Sequence, residues 1–265
     1  MFLWVVHDAM CKWLADSYPV FELIFLRSAL ALPLIFLMLR LEQGSLRLRT
    51  DRFWLLIVRG ALSLGSFGLF LFGLKLMSLA DAFAISMSSP LVVAALSGPM
   101  LGEPPTRRQW VAVIVGFAAV MVMIRPGGAI ALDGALIMLG ATLCYSLGVL
   151  STRSLGRTES ASVITVFVMV MFVVAGGAAM PFVWVTPTGA HLGLLSVIAA
   201  ISAAAMYLTI QSFRIAPPAL LAPFQYSALI WAMVIGYVWW GDVPDRSVII
   251  AATVVVASGL FVLKR

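Results

Sequence analysis

Nearly the whole chain consists of apolar stretches long enough to cross a lipid bilayer, which excludes almost every soluble fold. Residues 53–74, 161–182 and 247–263 are examples, and 110–124 is a shorter apolar block. A helix rises about 1.5 Å per residue, so about 17–25 apolar residues span a hydrocarbon core of about 30 Å. The composition points the same way: 63% of residues are hydrophobic and 11% are charged, against about 25% charged in soluble domains. Too few polar side chains remain to cover a water-facing surface, and no length remains for an extramembrane domain. The sequence therefore predicts an all-α integral membrane protein that forms one compact membrane domain.

Ten spans are expected, at about 1–15, 21–39, 53–74, 80–101, 107–124, 132–152, 161–182, 191–211, 218–240 and 246–263. Gly, Pro and charged residues punctuate them, as at Gly102-Glu103-Pro104-Pro105 and Pro187-Thr188-Gly189. The first span, only about 22 Å long at helical rise, reads as a clipped transmembrane helix. It lacks the basic start and small-residue cleavage site of a signal peptide. With both termini cytoplasmic, Arg40, Arg47, Arg49, Arg52, Arg107, Arg108, Arg153, Arg157, Arg214, Lys264 and Arg265 fall inside. Lys12, Lys75, Arg125 and Arg246 fall outside, and Arg27 and Arg59 lie within spans. That asymmetry follows the positive-inside rule and accounts for the net charge of +6 without nucleic acid. Cys11 and Cys144 sit in apolar blocks without metal-ligand spacing, so neither a metal nor a cofactor is expected.

An internal repeat is written at the ends of two spans. Gly102-Glu103-Pro104-Pro105-Thr106-Arg107 closes the fourth, and Gly241-Asp242-Val243-Pro244-Asp245-Arg246 closes the ninth, 139 residues on. Both read Gly, acid, any, Pro, any, Arg. Residues 1–126 and 127–265 thus form two five-helix halves. Five is odd, so the second half enters the bilayer inverted, as in many secondary carriers.

The segment 80–91 (Ala-Asp-Ala-Phe-Ala-Ile-Ser-Met-Ser-Ser-Pro-Leu), the run 102–110 from Gly102 to Trp110, Gly116-Phe117 and Arg125-Pro126-Gly127 together resemble the signature of the drug/metabolite transporter superfamily, EamA type. The resemblance extends over essentially the whole chain. It implies a ten-helix inverted-repeat fold, a central cavity and alternating access in the plasma membrane. His7 to Leu14, Phe25-Leu26-Arg27-Ser28 and Val58-Arg59-Gly60 further resemble bacterial metabolite carriers of the riboflavin and S-adenosylmethionine uptake type.

The residues that carry chemistry are the polar ones at bilayer depth, because burying a charge there is costly and such groups are paired or functional. Asp8 is a candidate coupling or substrate-binding carboxylate, or else a partner of Lys12 one turn on. His7 is a possible modulator of coupling, although a neighbour in sequence is expected to point elsewhere on the helix. Arg27 and Arg59 suit an anionic or planar solute, or else snorkel or pair, Arg27 with Glu22. Ser86 and Ser89 lie within the fourth span, which Pro90 interrupts. Pro217, Pro218 and Pro223, followed by Gln225 and Tyr226, form the corresponding interruption in the other half. Paired breaks of this kind point to a midplane site. Tyr145, Tyr207 and Gln211 are further candidates for substrate contact. Pro90, Pro223, Glu103 and Asp242 are expected at hinges or gates.

No HExxH, GxSxG or Walker A motif is present, and a lone second histidine, His191, makes no metal site. The expectation is a secondary transporter of a small organic metabolite in a bacterial inner membrane, with proton or other ion coupling and uptake of a ring-bearing compound. Export of amino acids, metabolites or drugs is the nearest alternative. A channel or a non-transporting receptor is the alternative of another class.

Overall fold

The computed structural model describes residues 1–43, 50–101, 106–123, 132–216, 218–244 and 246–263. These residues form helices α1 (Phe2–Ala15), α2 (Val20–Gln43), α3 (Phe53–Leu74), α4 (Leu79–Ser86), α5 (Ser89–Leu101) and α6 (Arg107–Met123). The chain continues through α7 (Leu132–Leu155), α8 (Ala161–Val183), α9 (Gly189–Ile215), α10 (Pro218–Trp240) and α11 (Arg246–Leu263). Among the described residues, six spans are long and apolar enough to cross a membrane: α2, α3, the α4–α5 pair, α7, α8 and α9. Short polar residues start several of them. Ser78, Ser160 and Thr188 each accept a hydrogen bond from the backbone N–H three residues on, which supplies one of the partners a helix N-terminus lacks.

The connections alternate between two ends of the bundle. At one end, Tyr18 between α1 and α2 meets His191 just after the α8–α9 turn. Lys12 at the end of α1 reaches Met77 between α3 and α4. At the other end, Thr50 between α2 and α3 bonds Glu159 between α7 and α8. Along the bundle α2 packs on α8 and α9, and α3 packs on α7 and α8. Helix α1 sits among α9, α10, α3 and α2, while α6 and α11 pair mainly with each other. Glycines permit close approaches between helices, as at Gly176 and Gly60. A Cβ on Gly176 would lie 3.0 Å from the backbone N and Cα of Phe25, and one on Gly60 would lie 2.6 Å from Met171 Cγ.

The fourth span is broken, and the break lies at Met87–Ser88 rather than at Pro90. Ser88 N–H closes α4 on Ile85 O, and Ser88 O opens α5 by accepting from Leu91 and Val92. Pro90 then stands in the first turn of α5, where a missing N–H has no helical partner to lose. Serine hydroxyls bond to carbonyls around the break: Ser86 donates to Ala82 O, Ser88 to Ile85 O, and Ser146 of α7 to Ser89 O. The matching interruption expected in the second half is not found, because α10 runs unbroken from Pro218 to Trp240. The side chains of Pro218 and Pro223, and all of Pro217 and Glu103, lie outside the described residues.

Candidate solute-binding site

A cavity of about 170 Å³ opens where α1, α2, α3, α4, α5, α7, α8, α9 and α10 converge. Helical period explains much of its wall. On α3 the lining residues are Arg59, Ser63, Ser66, Phe67 and Phe70, successive positions on one helix face. On α1 they include Trp4 and Asp8, four apart, and on α7 Thr142 and Tyr145, three apart. Phe83, Phe172 and Met206 make the wall apolar and aromatic, with Ser86, Ser89, Thr209 and Gln225 adding polar points. Such a surface suits a solute with a flat ring and a few polar groups.

Two arginines form its poles. Arg27 is 1% exposed. Its guanidinium carbon lies 3.7 Å from the centroid of Phe67 and 5.0 Å from that of Phe172, and these two rings stack on each other. Nη1 donates to Ser202 Oγ at 3.0 Å and lies 3.3 Å from His7 Nε2. Nε is buried and has no partner among the described residues. Arg59, 8% exposed, is held differently: Nε donates to Thr152 Oγ1 at 2.5 Å, and Nη1 donates to Ser63 Oγ. Phe67, beneath Arg27, is eight residues beyond Arg59 on α3, so the poles stand roughly 12 Å apart along that helix.

Asp8 lines the cavity beside Arg27, and His7 lies behind both. His7 Nδ1 is 2.8 Å from Asp8 Oδ1. Arginine only donates, so His7 Nε2 accepts from Arg27, and the ring proton sits on Nδ1, where it is donated to Asp8. Cys11 Sγ also approaches Nε2, at 3.6 Å, and Trp4 meets the ring edge-on while donating its indole N–H to Thr209. The expectation that His7 points away from Asp8 is therefore corrected. Nearly the full circumference of α1 is buried, so adjacent residues both face protein. The pairing alternatives also fail. Lys12 donates to Met77 O and lies over Trp240, and Glu22 accepts from the backbone N–H of Val185.

Of the other expected residues, Arg59, Ser86, Ser89, Tyr145 and Gln225 line the cavity. Tyr207, Gln211 and Tyr226 are not among its lining residues. Gln211 accepts from Arg214, Tyr207 packs half-buried against the core, and the Tyr226 hydroxyl is buried without a partner among the described residues. Asp242 is remote. It follows Gly241, whose φ of +70° ends α10, and it borders a second cavity of about 340 Å³ with Lys12, Asp16 and Lys75. Sequence reasoning did not single out Trp4, Ser63, Phe67 or Phe172. The period of α3 counted from Arg59 reaches Ser63 and Phe67; nothing local marks Phe172.

The comparisons with known proteins agree with a transporter. Residues 1–125 match the EamA-like transporter family. The chain is 24% identical to an S-adenosylmethionine uptake transporter of Rickettsia prowazekii, over 97% of this chain and 87% of the relative. It is 26% identical to a riboflavin transporter of Rhizobium johnstonii (83% and 74%), and 24% identical to the pseudopaline exporter CntI of Pseudomonas aeruginosa (97% and 90%). A crystal structure only 18% identical matches with a TM-score of 0.71 over 97% of this chain and 94% of its own, which speaks for the fold alone. The protein is thus a multi-pass bacterial membrane transporter, not an enzyme, and its residues 1–125 match the EamA-like transporter family.

Proposed function

We propose that this protein is a secondary carrier that takes up a ring-bearing, zwitterionic metabolite of the S-adenosylmethionine type by alternating access across the bacterial inner membrane. The observation that carries the reading is the aromatic cavity with Asp8 and Arg27 side by side at one pole and Arg59 roughly 12 Å away. An amino-acid head places its carboxylate on Arg27 and its ammonium on Asp8. The ring then lies along Phe67 and Phe172, with its polar edge toward Arg59, Tyr145 and the serines of the broken span.

Packing supports the inverted repeat, with residues 1–126 and 127–265 as the halves. Exchanging α1 with α7, α2 with α8, α3 with α9, the α4–α5 pair with α10 and α6 with α11 carries nearly every packed pair onto another packed pair. For example, α3·α7 becomes α9·α1, and α2·α9 becomes α8·α3. Both termini are cytoplasmic in this reading. The end bearing Thr50 and Glu159 then faces inward and the end bearing Tyr18 and His191 faces outward. Each end is closed by contacts that must break in turn: Tyr18–His191 and Glu22–Val185 outside, Thr50–Glu159 and Glu42–Ser162 inside.

The test is counterflow in proteoliposomes. Vesicles loaded with unlabelled S-adenosylmethionine should accumulate the labelled compound transiently and saturably, more strongly than riboflavin. Equal flux of every solute, or single-channel conductance, contradicts a carrier of this specificity. Export is the second reading, favoured by the likeness to the pseudopaline exporter over almost the whole chain. It predicts net movement out of right-side-out vesicles.

A further inference from the structure

We propose that His7 binds a proton that travels with the solute, because a carboxylate on Arg27 and a proton on His7 each remove the obstacle to the other. The proposal rests on the reading of the central cavity as the solute site. Its geometry is a chain of three groups: Asp8 carboxylate, His7 imidazole and Arg27 guanidinium, joined at 2.8 and 3.3 Å.

Without solute, Arg27 spends one N–H on His7 Nε2. That bond requires a neutral ring, since an imidazolium carries N–H on both nitrogens and would set donor against donor beside a full positive charge. A solute carboxylate offers Arg27 a stronger, charge-assisted and bidentate partner. Nε, buried without a partner among the described residues, is free to join it. As the guanidinium turns to the carboxylate, Nε2 loses its donor and its repulsive neighbour is neutralised. One proton then binds at Nε2, and the His7–Asp8 pair goes from net −1 to neutral. Arg27⁺ with the solute carboxylate and His7⁺ with Asp8⁻ are two matched pairs, and neither is matched without the other.

The charged and titratable groups facing His7 are few. Asp8 and Cys11 belong to its own helix, and Arg27 belongs to α2. Helix α3 presents Phe67, α9 contributes Ser202 to the same Arg27 nitrogen, and α10 reaches the cavity through Gln225. His7 itself is fully buried and Asp8 lines the cavity, so the pair opens onto the solute chamber through Asp8. A proton bound there is released on whichever side the chamber opens. Linkage is reciprocal: the factor by which carboxylate favours the proton is the factor by which the proton favours carboxylate, typically about 5–150-fold.

The chain has two histidines, so ¹⁵N-histidine labelling gives two rings, separated by a His191→Gln sample. At neutral pH His7 should be neutral with its proton on Nδ1. It should become doubly protonated on addition of S-adenosylmethionine or of saturating formate, and stay neutral with decarboxylated S-adenosylmethionine. A ring that is already doubly protonated without ligand, or that stays neutral under both carboxylates, overturns the proposal. In proteoliposomes an acidic exterior should raise initial uptake about tenfold, and His7→Gln should abolish that stimulation. Wild-type uptake indifferent to the gradient also overturns it. Absence of S-adenosylmethionine counterflow instead defeats the solute reading, and the formate arm still decides the proton site.

Discussion

Arg27 and Arg59 are both arginines buried in apolar helices of the first half, and both reach one cavity, yet they are held by opposite chemistry. Arg59 is held by hydroxyls, Thr152 from α7 and Ser63 one turn along its own helix. These groups do not change charge at any physiological pH, so they fix the guanidinium as a permanent pole. Arg27 lies against two aromatic rings and donates to an imidazole. Ring faces attract a desolvated cation by about 2 kcal/mol or more but leave its N–H groups unspent, and an imidazole can withdraw its lone pair by taking a proton. One pole is fixed and the other is releasable. A carrier needs both, one to set the register of the solute and one to respond to it.

The most severe way to break this contrast is Arg27→Lys, which keeps the charge but loses the fork geometry. Two charge-assisted hydrogen bonds at about 1.5–3 kcal/mol each set a loss of at least about 100-fold in kcat/KM, together with loss of the response to an acidic exterior. Thr152→Val attacks the other pole. It removes the acceptor of Arg59 Nε, and the same range for one such bond sets a loss of about tenfold or more, carried in KM, with the pH response retained. Gly148→Ala is milder. A Cβ there lies 3.0 Å from Arg59 Nη1, the movable end of a long side chain, so KM should rise only a few-fold, by about 1 kcal/mol. The smallest effect is expected of Trp4→Phe, which removes the bond to Thr209 but keeps the aromatic edge on His7, at about 0.5 kcal/mol. Its signature is a shallower dependence of uptake on pH, as the wall behind His7 loosens. If Thr152→Val and Arg27→Lys gave the same pH profile, the distinction between the two poles would be wrong.

The sequence made the helices easy to find because one physical requirement dominates it: every backbone polar group in lipid must be bonded within its own segment. Each of the ten apolar blocks accordingly holds helix, with ends close to those expected. The paired breaks were half right. Pro90 drew attention to the fourth span, but the serines at 86, 88 and 89 decide where it opens, and a proline near a helix start, as at Pro218, interrupts nothing. At the cavity, charge at bilayer depth is the signal that marks Asp8, Arg27 and Arg59, all three among its lining residues. What holds them was not legible. Ser202 and Phe172 are ordinary residues of apolar helices, and they matter only because α9 and α8 pack on α2. The His7–Asp8 contact was hidden by a rule for surface helices, where neighbours face apart; it fails on a helix surrounded by protein. Tyr226 and Gln211 are ligand types that are not among the residues lining the cavity.

The account stands or falls on whether the cavity is reached from each side of the membrane in turn. Ser86→Cys, in a chain whose Cys11 and Cys144 are replaced by alanine, places a thiol in the cavity wall beside the broken span. An impermeant thiol reagent is then applied to each face of oriented vesicles, with and without S-adenosylmethionine and with the pH gradient in either direction. The prediction is labelling from both faces, protection by solute, and a ratio between faces that reverses with the gradient. A thiol reached from one face alone under every condition would contradict alternating access.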